Sequence, residues 1–367
     1  MKFKKINWIF KKIDWLLFIA ICLLIILGLI VIYSVAAGSG TEQSIINFQK
    51  QIVFFILGVI IFFLITLFFD YRILLRYYFV LYIFILILLV AVLFFGKTIR
   101  GTTGWFNLGF FAFQPVEFVK VVLIVYLSKF FSDRAKYIGQ FKYLILSSLS
   151  VIILVVLVAL QPDFGSALIL FSLWLVMILL TGIKKSHLLI LISVILISVC
   201  IFWLFIFQDY QKERIKVFFN PSLDPLGRGY NVSQAIIAIG SGGLFGKGLT
   251  FGSQSQLRFL PESQTDFIFA VLAEELGLAG IILLLGLYIF MFYRLIMIAK
   301  SLRDNFAIFL TVSTISLFFL QIIINIGGNL GLLPITGITL PFLSYGGSSL
   351  FANLILFGLV ESTLIRS

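Results

Sequence analysis

The run "WLLFIAICLLIILGLIVIYSVAA", residues 15–37, holds no charged side chain. About 20 such residues, wound as a helix, cross the ~30 Å hydrocarbon core of a bilayer. The run is too long for the apolar part of a cleaved signal and shows no obvious small-residue cleavage site, so it reads as a retained helix. Comparable runs recur along the whole chain, and the composition agrees: 62% of residues are hydrophobic and 11% charged, against about 25% charged in a soluble domain. The candidate spans are residues 15–37, 47–69, 73–95, 115–132, 143–160, 164–181, 187–207, 264–293, 306–327 and 344–364. These runs are continuous, whereas strands of a membrane barrel alternate apolar and polar residues over about 10 positions. The expectation is an all-α polytopic membrane protein of about ten transmembrane helices, one domain over residues 1–367.

Orientation follows from the basic residues beside the spans, which favour the cytoplasmic side. Lys2, Lys4, Lys5, Lys11 and Lys12 precede the first span. With ten spans, Arg72 and Arg76, Lys129 to Lys142, Lys184 and Lys185, and Lys300 and Arg303 all fall on the same side as that N-terminus. Both termini are therefore expected in the cytoplasm. The net charge of +12 reads as a topogenic signal and an attraction to anionic membrane lipid, not as a nucleic-acid footprint. Cys22 and Cys200 lie within spans without paired spacing, and His187 is the lone histidine. A disulfide framework, a thiolate metal site and a histidine metal cluster are not indicated.

This topology leaves residues 38–46, 96–114, 161–163, 208–263 and 328–343 outside. The longest of them, 208–263, mixes charges and prolines with a glycine-rich centre and is too apolar to be simply disordered. It is expected to fold back on the membrane surface as a large extracytoplasmic loop, with residues 231–239 as a short amphipathic helix. Its "GSGGLFGKGL", residues 240–249, superficially suggests a phosphate loop. The P-loop pattern needs Ser or Thr after the lysine and a strand before the glycines; Gly248 follows Lys247 and no strand is evident. Glycines permitting a tight turn are the preferred reading, with backbone N–H groups near a lipid diphosphate as the alternative.

Ionisable residues inside spans are costly and mark candidate functional sites. Glu117 and Lys120, in "QPVEFVK", share a helix face and can neutralise one another. Asp163, in "QPDFGSA", stands where an acid also caps a helix. The stretch "FLPESQTDFIFAVLAEELGLAG", residues 259–280, places Asp266 before an apolar run and Glu274 and Glu275 within it. At 1.5 Å per residue the two glutamates lie about 12–14 Å along a helix from Asp266 and cannot act on the same atom. Asp266 by itself reads as an acid at a helix N-terminus that Ser263 or Thr265 caps. Its company decides otherwise: Arg214, Arg258, Glu262, Asp266, Glu117 and Asp163 all fall on one expected external rim. Such a rim suits an anionic, sugar-bearing lipid.

The motifs "GWFNLGFFAFQPVEFVK", "QPDFGSA", "ERIKVFFNPSLDPLGRGYNVSQAIIAIGSGGLFGKG", "FLPESQTDFIFAVLAEELG" and "NLGLLPITGITLPFLSYGGSSL" stand in this order along the chain. They resemble the SEDS family, the RodA and FtsW type of bacterial peptidoglycan glycosyltransferase, over nearly the whole length. The short tails and "IDWLLF" near the N-terminus are more similar to the RodA-type elongation members than to the FtsW-type division members. The chain departs from the family's pattern at Gly104, where an arginine usually precedes the tryptophan, and at Val116, where "QPSE" is usual; Arg100 lies close by.

The resemblance implies polymerisation of lipid II on the outer face of the bacterial cytoplasmic membrane during cell elongation, with Asp266 of "TDF" catalytic. It also implies that Glu117, Lys120, Asp163 and Arg214 line or support the cavity, and that a class B penicillin-binding protein, a transpeptidase, and the elongation machinery are partners. In that reaction an acceptor sugar hydroxyl attacks an anomeric carbon and a lipid diphosphate leaves. Asp266 would take the hydroxyl proton. Arg214, Lys216, Arg258, Lys120 or a divalent cation, magnesium or manganese, would offset the leaving charge. The rival classes are a lipid flippase, which needs a site near mid-bilayer open to both faces, and a noncatalytic scaffold, which would tolerate loss of Asp266.

Overall fold

The computed structural model describes residues 10–99, 101–107, 109, 111–135, 140–201, 224, 227–257 and 259–366. Helices occupy all ten expected spans: α1 (Trp15–Ser39), α2 (Glu42–Phe68), α3 (Arg72–Phe95), α4 (Pro115–Asp133), α5 (Phe141–Ala159), α6 (Phe164–Leu180), α7 (Lys185–Ile201), α10 (Ile268–Ser301), α11 (Asn305–Asn329) and α12 (Gly347–Arg366). The expected amphipathic helix is present as α8 (Arg228–Ser241), followed by a single turn, α9 (Ser253–Gln256). Among the described residues seven helices are long and apolar enough to cross a membrane; α6 and the described part of α7 are shorter, and α4 carries Glu117, Lys120, Lys129 and Asp133. The chain is a polytopic helical membrane protein.

The burial pattern follows from solvation by lipid. Over an 18-residue window, 22% of α3 is buried inside the molecule and 78% of α12. Apolar α3 can face hydrocarbon at no cost, whereas α12 carries Asn353, Glu361, Ser362 and Thr363, all at most 2% exposed, which must be shielded from it. α12 packs along α2, α11 packs against α4, α6 and α10, and α8 lies against α10. At one end of the bundle the Asp14 carboxylate accepts from Leu17 N and caps α1, and Arg294 of α10 grips it with Nη2–Oδ2 at 2.6 Å.

The segment 96–114, expected only to lie outside, forms a three-stranded antiparallel sheet: β1 (Lys97–Ile99), β2 (Thr102–Asn107) and β3 (Ala112–Phe113). Lys97 pairs with Trp105 and Phe106 with Phe113. The β-branched and aromatic residues of "TTGWF" suit strand, and Gly101, at φ 79°, makes the first turn. Gly104 is buried in β2, where an added Cβ would stand 3.2 Å from Gln161 Oε1.

α10 is broken at Gly277, where φ is 63° and ψ −159°. The break interrupts the helical hydrogen bonds, and the glycine loop after α8 replaces them. Lys247 N and Gly248 N donate to the Glu274 and Glu275 carbonyls, each at 3.0 Å, while Leu278 N and Ala279 N donate to Gly243 O (2.9 Å) and Leu244 O (3.0 Å). Gly243, Gly246 and Gly248 have φ of 54°, 78° and 95°, the left-handed region that favours glycine. The tight-turn reading of "GSGGLFGKGL" therefore holds, and the Lys247 and Gly248 N–H groups are committed to α10.

Candidate active site

Glu274 and Glu275 are both fully buried. Glu274 accepts from Lys247 Nζ (2.9 Å), Gln254 N (2.9 Å) and Ser255 N (3.1 Å). Glu275 accepts from Ser34 Oγ (2.7 Å) and Gln256 Nε2 (3.0 Å). Their work is to fasten the glycine loop to α10 and α1, since a buried carboxylate needs such partners.

Asp266 stands differently. The expected helix from residue 264 does not form: residues 261–267 are a string of turns and α10 begins at Ile268 with Phe267 as N-cap, which supplies no side-chain cap. The capping assigned to Ser263 or Thr265 is thereby corrected. Thr265 Oγ1 instead meets Glu262 Oε2 at 3.1 Å and Ser344 Oγ donates to Thr265 O at 2.7 Å. The cap comes from another helix, because the turn segment is held by tertiary hydrogen bonds that a local reading does not see. Asn329 Oδ1, on α11, accepts from Ala270 N at 3.3 Å.

The same two-residue device clamps Asp266. Asn329 Nδ2 and Asn325 Nδ2 donate to the Asp266 carbonyl at 2.9 and 3.1 Å. Asn325 Nδ2 also reaches Ile338 O at 2.8 Å, tying in the loop between α11 and α12. On the other flank, Gln264 bonds to Asn47 Nδ2 (2.9 Å), and Tyr345 N donates to Gln264 O (2.8 Å). Glu262 has φ 56°, a costly conformation for a non-glycine residue that the surrounding bonds sustain. The result is a rigid platform with the half-buried Asp266 side chain at its edge, facing Gly337. An added Cβ at Gly337 would lie 3.8 Å from Asp266 Oδ2.

A second polar group gathers Glu117, Lys120 and Asp163. Lys120 Nζ and Glu117 Oε1 are 2.8 Å apart and both residues are buried. Glu117 Oε2 is buried with no hydrogen-bond partner among the described residues. Asp163 caps α6 by accepting from Ser166 N at 3.0 Å. Desolvation raises the Asp163 carboxyl above the ordinary range; the Ser166 bonds and the Lys120 charge pull it down, and Glu117 pushes it up. Lys120, Glu117 and Asp163 thus act on one another electrostatically. Gly165, two residues on, packs directly on Thr336, whose neighbour Gly337 faces Asp266. Thr336 and Gly337 of the 330–346 loop thus stand between the start of α6, which Asp163 caps, and Asp266. Arg214, Lys216, Arg258 and Arg100 lie outside the described residues.

Residues 14–366 match the family of cell cycle proteins designated FTSW_RODA_SPOVE. The chain belongs to this family. Among its relatives, the peptidoglycan glycosyltransferase MrdB of Escherichia coli K12 is 38% identical over 93% of this chain and 91% of its own. The stage V sporulation protein E of Bacillus subtilis is 38% identical over 95% of each. Among solved structures, one described as showing structural coordination of polymerization and crosslinking by a peptidoglycan synthase complex superposes with a TM-score of 0.81 at 31% identity, covering 96% of this chain and 97% of that one. The crystal structure of the rod shape determining protein RodA of Thermus thermophilus gives 0.69 at 29% identity, covering 96% of each. The SEDS resemblance read from the motifs is thus borne out.

The sequence reading passed over Asn325, Asn329, Gln264 and Ser344. A signal was there for the first two: amides four residues apart share one helix face, and polar groups at the end of an apolar span seek internal partners. Among the described residues no group of three or more His, Cys, Asp or Glu is placed to hold a metal ion.

Proposed function

We propose that this FtsW/RodA/SpoVE family member is a peptidoglycan glycosyltransferase that polymerises lipid II on the outer face of the bacterial cytoplasmic membrane. The observation that carries the reading is the contrast among three neighbouring acids. Glu274 and Glu275 are fully buried and bonded to the loop segment 247–256 and to Ser34, while half-buried Asp266 stands on a clamped platform beside Gly337 of an adjoining loop. Relatives named as peptidoglycan glycosyltransferases, matched over nearly the whole chain, support it.

The height of Asp266 also fits. From Asn305 to Asn329, α11 rises about 36 Å at 1.5 Å per residue, more than the ~30 Å hydrocarbon thickness. Asp266, bonded to Asn329, then lies at headgroup level, where the diphosphate and sugars of a lipid-linked donor reside. A flippase would need its polar site near mid-bilayer.

In the proposed reaction the acceptor hydroxyl attacks the donor's anomeric carbon, the carbon–oxygen bond to the diphosphate breaks, and Asp266 receives the hydroxyl proton. Such base catalysis contributes about 10²–10⁴ in rate. The clamped backbone holds the carboxylate in place at no reorganisation cost during reaction. Lys120, Arg214 and Arg258 are the candidates for stabilising the departing diphosphate, with Glu117 and Asp163 setting the field around Lys120. A divalent cation, if used, would be held mainly by substrate phosphates with one or two carboxylates such as Asp266 and Glu262, the usual habit of magnesium; it would supply charge neutralisation at the diphosphate.

The closer reading is an elongation role beside a class B penicillin-binding protein. The rod-shape relative supports elongation, and the peptidoglycan synthase complex, coordinating polymerization with crosslinking, supports a transpeptidase partner. A division role is the alternative, to be separated by which process fails on depletion. The deciding experiment incubates the purified chain, alone and with the transpeptidase, with lipid II and analyses the glycan product. Absence of polymer under both conditions would overturn the enzymatic reading.

A further inference from the structure

Far along the bundle from Asp266, three helices leave an apolar groove of about 560 Å³. α11 is its floor from Ile308 to Leu320, Val176 and Leu180 of α6 form one wall, and Ile296 and Lys300 of α10 form the other. Among the described lining residues the other polar one is Ser316, whose hydroxyl donates to Val312 O at 2.8 Å, so the interior offers a ligand no free hydrogen-bond donor. Lys300 lines the groove, exposed and without an ion pair among the described residues, and exposed Arg303 follows in the connection between α10 and α11. Walls continuous with the lipid-facing surface, including exposed Phe319 and Ile296, open the groove toward hydrocarbon and not toward water.

We infer that this groove is a binding site for one anionic phospholipid, with an acyl chain along α11 and the phosphate at Lys300. Three features select this occupant. The floor from Ile308 to Leu320 is about 18 Å long at 1.5 Å per residue, close to half of a ~30 Å hydrocarbon core, which is the depth of one leaflet. A partner's spanning helix would need a seam about twice as long. Two basic residues, Lys300 and Arg303, stand at this end against one acid, Asp304, whose carboxylate is engaged by Phe306 N and the Tyr71 hydroxyl; the surplus positive charge favours an anionic headgroup over a zwitterionic one. The groove belongs to the leaflet that borders Lys300, so the assignment does not depend on the catalytic reading above.

The test is native mass spectrometry of the delipidated full chain in detergent, titrated with phosphatidylglycerol and, separately, with phosphatidylcholine of the same acyl chains. The expected result is one phosphatidylglycerol adduct that survives activation at which phosphatidylcholine is stripped. Lys300→Glu, at an exposed position, should weaken that adduct at least about fivefold, the fold-change corresponding to ~1 kcal/mol for the lost basic residue alone. Val312→Trp, which fills the floor, should remove it. Equal retention of the two lipids, or an adduct unchanged in Lys300→Glu, would show annular contact only and overturn the site; capture of a partner helix at this seam in a crosslinked complex would do the same.

Discussion

Asn329 holds Asp266 from a different helix: its Nδ2 donates to the Asp266 carbonyl at 2.9 Å while its Oδ1 accepts from Ala270 N at 3.3 Å. One amide thereby caps α10 and fixes the residue that precedes it. Asn329→Ala leaves buried backbone groups unsatisfied, at about 1–3 kcal/mol, and should cut polymerisation by an order of magnitude or more while the chain remains folded. Asn329→Asp loses the donor and keeps the acceptor. If polymer yield of Asn329→Asp equals wild type, the clamp on the Asp266 carbonyl is not what positions the carboxylate.

Asp266→Asn keeps the size of the side chain but cannot accept the proton. Lipid II polymerisation by the purified variant should fall by about 10²–10⁴. Its thermal stability should change little, because the lost charge at a helix N-terminus is worth only about 0.3–1 kcal/mol and the cap is Asn329. Near wild-type polymer from a well-folded variant would sink the catalytic assignment and revive the scaffold or flippase.

The Glu117–Lys120 pair is buried at 2.8 Å. Removing either charge leaves the other uncompensated, at about 3–5 kcal/mol. Glu117→Ala and Lys120→Ala should each lower the melting temperature more than the combined Glu117→Gln with Lys120→Met, which removes both charges at similar volume. Independent losses of activity with unchanged stability would instead mark two separate substrate contacts.

Gly277→Ala places a Cβ against the backbone at Leu244 and Gly246, at a φ of 63°. The strain, about 1–3 kcal/mol, should be relieved by release of the loop from α10. Hydrogen exchange at Lys247, Gly248, Leu278 and Ala279 should then rise selectively, with α11 and α12 still protected. Unchanged protection at these four amides would show that the break is not held by the loop.

Phe245 is 84% exposed on the loop expected outside. In a background lacking Cys22 and Cys200, Phe245→Cys should react with an impermeant thiol reagent in intact cells, whereas a cysteine at Lys184 should react only after opening them. The reverse pattern would invert the topology and remove the external site.

Much of this architecture was legible in the chain, because span length and hydropathy are local properties that a bilayer reads one helix at a time. A helix stands in each expected span as far as the residues are described, and the glycine turns, the short helix in the long loop and the Glu117–Lys120 pairing followed from local spacing. The sheet at 97–113 was not legible, since its strands are short and depend on contacts such as Thr103 N to Gln161 O at 3.3 Å. Nor was the late start of α10, which is decided by Asn329, Ser344 and Gln264 pulling on the turn from three other segments. Asp266, Glu274 and Glu275 are chemically alike and lie within ten residues of one another. Sequence alone placed Asp266 before one apolar run and Glu274 and Glu275 within it; only the packing of the glycine loop over Glu274 and Glu275, and of the asparagine clamp on the Asp266 backbone, separated two structural fasteners from the candidate base, because hydrogen-bond partners remote in the chain determine what each carboxylate is packed against.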